Sequence, residues 1–152
     1  MMAVGTFQLL DGKRCGEALR ARIAEEATAV KATRGRAPHL AAVLVGDDGA
    51  SRTYVQNKVT ACESVGFRST LIQLPESTSE EELLDRVKHL NRDKELDGYI
   101  VQLPVPAHID PEKVTLAIAA DKDVDGFHPE NIGRMVLGLP GFLPATPSGI
   151  VE

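Results

Sequence analysis

Short apolar runs, turns and amphipathic segments follow one another along the chain in a repeated order. Leu40–Val45 is apolar at every position, which is typical of a strand covered by helices on both faces. Arg68–Leu74 and Tyr99–Leu103 are predicted as the second and third strands, and Pro104 and Pro106 stop the third from continuing. Strands separated by helices predict a mainly parallel sheet and therefore a three-layer α/β/α domain.

Apolar stripes at helical spacing and their end signals predict four helices. They cover about 16–31, ended by Gly35 and Pro38; about 51–65, closed by Gly66; the segment opened by the capping box Ser79–Glu82; and the segment that starts at Asp110-Pro111 and runs through 114–118. Thr146, as a cap, and Pro147 predict the start of one more helix at the end of the sequence. Since so short a helix is unstable alone, we expect 146–152 to be frayed and the sequence to be a fragment. We divide it into a domain over 1–145 and a helix start over 146–152.

Composition favours one ordinary enzyme-sized domain. The chain has 152 residues, of which 43% are hydrophobic, enough to fill a core. Its net charge of −5, with no long basic run, argues against a nucleic-acid surface. No apolar run predicts a membrane span or a signal peptide, and Cys15 and Cys62 are expected to be free thiols in a reducing cytoplasm.

Tyr54 and Lys58 are the first candidate pair for chemistry. They are four residues apart in the predicted helix that follows the first strand, so they share one face near a strand end where α/β sheets place their ligands. A lysine in such a place can be desolvated until its pKa falls into a catalytic range. The spacing alone also fits an exposed helix whose lysine serves solubility.

Gln102 lies inside the third predicted strand, near its end, and an acidic cluster follows that strand. Gln102 needs hydrogen-bond partners in an apolar setting, and they could be a ligand or the neighbouring backbone. Asp121, Asp123 and Asp125 fall within five residues. They could accept hydrogen bonds from a nitrogen-rich ring or form a solvated turn, and they do not match a calcium loop. No histidine pair stands at metal-binding spacing, so no metal site is predicted.

These motifs together resemble one family. They are Val45–Ser51, Tyr54–Lys58, Asp97–Pro106, Lys122–Gly126 and Pro144–Gly149, in that order along the chain. The sequence from Leu10 onward is similar to the N-terminal substrate domain of the bifunctional methylenetetrahydrofolate dehydrogenase/methenyltetrahydrofolate cyclohydrolases. Ala145 departs from the cysteine that is usual there, and no glycine-rich phosphate loop is present.

The resemblance implies a role for each candidate residue. Lys58 would be the catalytic lysine, with Gln102 orienting it. Tyr54 would stack on the benzoyl ring of folate and help position the substrate. Asp125 would accept hydrogen bonds from the pterin, with Asp123 supporting its loop. The remaining pocket wall would come from Ser51, Val101 and Gln102.

The resemblance also implies the partners of the full-length protein. It would oxidise 5,10-methylenetetrahydrofolate with NADP and hydrolyse the methenyl product to 10-formyltetrahydrofolate, in the cytoplasm and as a homodimer. NADP would be bound by a second, Rossmann-type domain absent here, so we expect no dehydrogenase activity from these residues alone. The main alternative is a folate-binding or interaction domain without catalysis. A short-chain dehydrogenase, which also uses Tyr-x-x-x-Lys, is rejected because no glycine-rich half precedes Tyr54.

Overall fold

A parallel three-stranded sheet forms the centre of the fold. The computed structural model describes residues 11–152, apart from the side chain of residue 50. The strands are β1 (His39–Val45), β2 (Arg68–Leu74) and β3 (Gly98–Val101), in the order β2-β1-β3, and β1 pairs in parallel with both neighbours. The predicted parallel α/β sheet is therefore confirmed.

Six helices lie within the described part of the chain. They are α1 (Gly12–Arg34), α2 (Gly49–Ser64), α3 (Glu80–Arg92), α4 (Pro111–Ala117), α5 (Pro129–Val136) and α6 (Ala145–Val151). The predicted carboxyl end of the first helix is confirmed at Gly35, which has a φ of 74°. The predicted start of the third helix is confirmed by the capping box of Ser79 and Glu82. Helix α5 was not predicted, because its apolar stripe is short.

Helices cover both faces of the sheet. On one face, Val43 and Val101 belong to a core that also contains Leu83 and Val87 of α3 and Val114 of α4. On the other face, a smaller cluster joins the sheet to α2. Its members are Ala42, Val55 and Ile100, with Val59 and Val124 packed against them. This arrangement is the predicted α/β/α layering, and it turns the carboxyl ends of the strands toward α2 and the loops after β3.

The third strand is shorter than predicted. It ends at Val101 rather than Leu103, so the expectation that Gln102 lies inside the strand is wrong. The backbone N–H of Gln102 still donates to the carbonyl of Val43 at 2.8 Å, but the chain then leaves the sheet through a cis Leu103–Pro104 peptide. Pro104 has no N–H to continue the ladder. Gln102 is therefore released to face the loops.

The last helix also begins differently from the prediction. Pro144 occupies the cap position of α6 and makes no side-chain cap, so the expectation that Thr146 is the cap is wrong. At the other end, the Glu152 carboxylate lies 3.8 Å from Arg22 of α1. The fraying of residues 146–152 and the domain boundary at 145 stay predictions. No helix in the described range is long and apolar enough to cross a membrane.

An ion pair fastens the amino ends of β1 and β3. The Asp97 carboxylate accepts hydrogen bonds from Arg36 at 2.6 and 2.9 Å and from the His39 amide at 2.8 Å. The hydrogen bonds from the Arg36 guanidinium lower the pKa of Asp97; burial opposes this shift, and the bond from the His39 amide adds to it. Asp97 therefore stabilises the fold in its ionised form.

We expect Asp97→Asn to lower the free energy of unfolding at neutral pH by about 1 kcal/mol, since a charge-assisted bond at a partly solvated site is lost. Because the folded-state pKa is depressed, this stabilisation is present above the unfolded-state value of about 3.9 and is lost as pH falls through the folded-state value. Urea unfolding at pH 7 and below pH 4 measures it. Asp85→Asn, which breaks only the exposed pair with Lys88, is the control. An equal cost of Asp97→Asn at both pH values would contradict the assignment.

Candidate functional site

Lys58 reaches from α2 toward the loops that follow β3. Its Nζ lies 3.4 Å from Oε1 of Gln102 and 3.9 Å from Oδ1 of Asp125. The first turn of α2 is fixed by the Asp48 carboxylate, which accepts from the Ser51 amide at 2.8 Å. The Lys58 side chain is 44% exposed and is therefore only partly desolvated by the protein. A ligand over this group would complete its removal from water.

The Gln102 side chain bonds the neighbouring backbone through its nitrogen and Lys58 through its oxygen. Its Nε2 donates to the carbonyl of Leu103 at 2.7 Å, which fixes the plane of the amide. The amide oxygen consequently points at Lys58. The neighbouring backbone is thus one partner of Gln102, as one interpretation from sequence expected. The role of Gln102 in orienting Lys58 stays a prediction.

Asp125 is a partly buried carboxylate beside an ammonium group. Burial raises the pKa of Asp125; the nearby Lys58 opposes this shift and the Asp123 charge adds to it. The surrounding protein groups therefore stabilise the ionised form of Asp125 incompletely. A ligand that donates hydrogen bonds to this carboxylate would supply the missing stabilisation.

The loop that carries Asp125 is fastened from several sides. Lys122 donates from Nζ to the carbonyls of Leu90, at 2.8 Å, and Asp93, both at the end of α3. Asp123 is only 3% exposed, and its carboxylate accepts from the backbone amides of Gly126 and His128. The acidic cluster is therefore an ordered loop, and the interpretation as a solvated turn holds only for the exposed Asp121.

A cavity of about 160 Å³ opens between these groups. Its lining joins the polar residues Lys58, Gln102, Thr115, Asp123, Asp125 and Thr146 to the apolar residues Ile100, Val101, Leu103, Val114, Ile118 and Phe127. Sequence reasoning identified Lys58, Val101, Gln102, Asp123 and Asp125. It missed the α4 residues, Phe127 and Thr146, because nothing in their local pattern separates a cavity wall from a core.

A second, mostly apolar cavity of about 250 Å³ adjoins the first. Ala42, Val59 and Cys62 are among its lining residues. Lys58 and Asp125 line both cavities, so this ion pair forms part of the wall between them. Burial raises the pKa of Cys62, which keeps this thiol protonated and makes it a poor nucleophile.

Two predicted substrate residues lie outside the polar cavity. Tyr54 is 64% exposed one turn before Lys58, on the open side of α2. Ser51 is 4% exposed and is buried in the first turn of the helix. Neither lines either cavity beside Lys58. Their roles in binding stay predictions, and that of Tyr54 requires a ligand extending out of the cavity along α2.

Other surfaces offer less chemistry. A wider depression of about 660 Å³ runs beside α3, but Glu82 there closes the helix cap and Asp85 pairs with Lys88. The described residues contain no group of three or more side chains able to hold a metal ion. The turn between β1 and α2 carries Asp47 and Asp48, whose charges oppose the binding of a phosphate at this helix start.

Gly126 allows the Asp125 loop to approach the start of α6. Its φ is 72°, and a Cβ placed on it would lie 2.5 Å from the carbonyl carbon of Leu143. Gly138 has a similar φ of 68° but open space around it. The two glycines therefore share a conformational requirement and differ in steric contact.

We expect Gly138→Ala to cost about 1–2 kcal/mol of unfolding free energy, the cost of a left-handed backbone. Gly126→Ala should cost about 1–3 kcal/mol more, since the 143–144 segment must also move. Denaturant unfolding of the two variants measures the difference. Equal costs would show that the close approach at Gly126 does not constrain the loop.

We further expect Asp125→Asn to stabilise the empty domain at neutral pH. Burial raises the folded-state pKa of Asp125, so the wild-type protein loses stability as pH rises from the unfolded-state pKa, about 3.9, through the folded-state pKa. The uncharged side-chain amide in Asp125→Asn avoids this loss of stability because it does not ionise. Urea unfolding should give a larger advantage for Asp125→Asn at pH 7 than at pH 3, with Asp121→Asn as the matched exposed change. A variant less stable than wild type at pH 7 would contradict the burial argument.

Comparison with known proteins identifies the family to which the chain belongs. The family description "Tetrahydrofolate dehydrogenase/cyclohydrolase, catalytic domain" matches residues 10–125. The bifunctional protein FolD of Cytophaga hutchinsonii is 59% identical over 146 residues, which are 96% of this chain and 50% of that protein. FolD of Flavobacterium johnsoniae is also 59% identical over 146 residues, with the same coverage. The chain thus spans about half the length of the curated relatives it matches.

Solved structures agree with this relationship. The bifunctional FolD methylenetetrahydrofolate dehydrogenase/cyclohydrolase of Campylobacter jejuni is 42% identical, with a TM-score of 0.92 over 96% of this chain and 52% of that one. A 5,10-methylenetetrahydrofolate dehydrogenase from the silkworm Bombyx mori is 41% identical, with a TM-score of 0.93 over 97% of this chain and 51% of that one. The family match covers more than half of the sequence, from before α1 to Asp125, and the fold agrees with it. The chain belongs to the tetrahydrofolate dehydrogenase/cyclohydrolase family and contains its catalytic domain.

Proposed function

We propose that this chain is the substrate-binding and catalytic half of an enzyme of one-carbon folate metabolism. That enzyme would oxidise 5,10-methylenetetrahydrofolate with NADP and hydrolyse 5,10-methenyltetrahydrofolate to 10-formyltetrahydrofolate. The convergence of Lys58, Gln102 and Asp125 on one cavity carries the proposal. The names of the relatives support it, since they are bifunctional proteins of this kind.

The chemistry of the cavity suits a reduced folate. The pterin presents a row of N–H donors, for which the acceptor-only carboxylate of Asp125 is the complementary partner. The apolar residues Val101, Leu103 and Ile118 offer faces for a flat ring. Tyr54, exposed on the same helix as Lys58, would contact the benzoyl part of the ligand outside the cavity.

In the hydrolytic step, Lys58 would act as the general base. Water adds to the carbon of the cationic methenyl bridge as the C=N π electrons return to nitrogen, and a proton passes from that water to the lysine amine. Collapse of this adduct forms the formyl C=O, breaks the bond from that carbon to N5 and moves the hydroxyl proton to N5, after which the lysine returns its proton to solvent. The positive charge of the bound substrate disfavours a second positive charge on Lys58, which leaves the amine able to accept a proton. The amide oxygen of Gln102 would hold Nζ in position during the transfer.

The turn between β1 and α2 is unsuited to the phosphates of a dinucleotide. The turn between β1 and α2 carries Asp47 and Asp48 where a phosphate loop would need uncharged backbone donors. NADP, which accepts the hydride in the oxidation step, would be held by other residues of the full-length enzyme. A Trypanosoma brucei relative, 30% identical, has been solved with NADP and an inhibitor, and this supports NADP as the cofactor. The 152-residue chain alone is expected to show no dehydrogenase activity.

The remaining proposals concern the setting of the enzyme. We place it in the cytoplasm, where Cys15 and Cys62 would remain the free thiols they are here. We expect the full-length protein to form a homodimer and not to bind nucleic acid, in keeping with its net charge of −5.

Lys58→Met is expected to slow hydrolysis of 5,10-methenyltetrahydrofolate by at least about 100-fold, the usual contribution of a general base. The reaction is followed by loss of substrate absorbance in single turnovers, with the 152-residue chain in excess to offset weak binding by an open cleft. Lys88→Met, which removes an exposed lysine from α3, is the control and should keep the wild-type rate.

The same assay tests the alternative function. A wild-type chain that binds the substrate in calorimetry but does not accelerate hydrolysis would favour a folate-binding domain without catalysis. A Lys58→Met variant within tenfold of the wild-type rate would reject Lys58 as the base. No binding of any folate would overturn the proposed function.

A further inference from the structure

Asn131 is a buried amide directly beneath the loop that carries Asp125. It lies in the first turn of α5 and is 3% exposed. Its Nδ2 donates to the carbonyl of Ala120 at 2.8 Å and to Oδ2 of Asp123 at 3.1 Å. One side chain therefore joins α5 to two points of the segment that leads into the site.

The Asp123 carboxylate passes this constraint on to the backbone around Asp125. Its Oδ1 accepts from the Gly126 amide at 3.1 Å, and its Oδ2 accepts from the His128 amide at 2.7 Å. These two bonds close the turn in which Asp125 lies. Asp123 Oδ2 accepts from both the His128 amide and Asn131. Because a buried carboxylate needs its hydrogen-bond donors, loss of the Asn131 bond would leave this oxygen with one donor fewer.

The opposite side of the loop depends on a close backbone approach. The Ala145 amide donates to the carbonyl of Asp125 at 3.2 Å, in the segment that passes over Gly126. Asp125 is thus held between α6 on one side and the Asp123–Asn131 pair on the other. A rotation of the Asp123 carboxylate would move Asp125 relative to Lys58, which is 3.9 Å away.

We propose that Asn131 is a positioning residue for the ligand site: it fixes the orientation of Asp123 and thereby holds the Asp125 carboxylate opposite Lys58. The identity of the ligand rests on the proposed function, whereas the effect on the loop does not. Asn131 is separated from Lys58 and from the ligand by Asp123, so it acts through that residue and not by contact.

Calorimetry with folic acid, whose pterin carries the donor groups, tests the effect on binding. Asn131→Ala should weaken binding at least tenfold. Asn131→Leu keeps the shape of the side chain but removes the donor without adding a charge next to Asp123, and it should weaken binding as much, so it serves if the alanine variant does not fold. Val87→Ala, a cavity in the core beneath α3, is the control for general destabilisation and should keep wild-type affinity. Wild-type affinity in both Asn131 variants would overturn the proposal.

A double-mutant cycle separates positioning from a general structural role. Asp125→Asn removes the carboxylate that Asn131 is proposed to position. In that background, adding Asn131→Ala should therefore weaken binding by less than a further factor of two. The same tenfold loss in both backgrounds would show that Asn131 acts by another route, and would overturn the proposal.

Amide hydrogen exchange provides a readout that needs no ligand. Asn131→Ala should speed exchange of the Gly126 and His128 amides at least tenfold relative to Val87→Ala, under conditions where both variants are folded. Unchanged exchange at these amides would overturn the proposal. If wild type fails to bind folic acid while exchange responds as expected, the proposed function fails and the positioning role of Asn131 stands.

Discussion

The arrangement of the site depends on the hydrogen bonds made to the buried carboxylate of Asp123. A buried carboxylate away from water needs hydrogen-bond donors, and three are supplied: two backbone amides and the Asn131 side chain. Satisfying that one group shapes the loop after β3. Two further contacts hold the same loop: Lys122 donates to the end of α3, and Gly126 packs against the 143–144 segment.

The parallel sheet supplies the second constraint. Because β1 and β3 run in the same direction, the helix that follows β1 and the loop that follows β3 meet at one edge of the sheet. Lys58 comes from the first and Gln102 from the second, although 44 residues separate them in sequence. No local interaction brings them together, so the geometry of the site is a property of the topology.

Much of this could be predicted from sequence, and the residues that escaped prediction have physical reasons in common. Strands such as Leu40–Val45 and the capping box at Ser79 carry their signals in neighbouring residues, and they were identified correctly. The end of β3 was misjudged because an apolar leucine before a proline fits a strand as well as a loop. Asn131 and Thr146 were missed because their importance depends on contacts with distant segments. Tyr54 was found by its spacing, but its spacing does not say that it lies outside the cavity.

The partial burial of Asp125 has a consequence for how the domain exchanges protons with solvent. Burial raises the pKa of this carboxyl, and hydrogen bonds from a bound ligand would lower it again. Association with any ligand that offers N–H donors there would therefore release protons wherever the pH lies between the pKa values of the empty and occupied states. By linkage, the affinity of the cavity for such a ligand must fall as the solution is acidified through that interval.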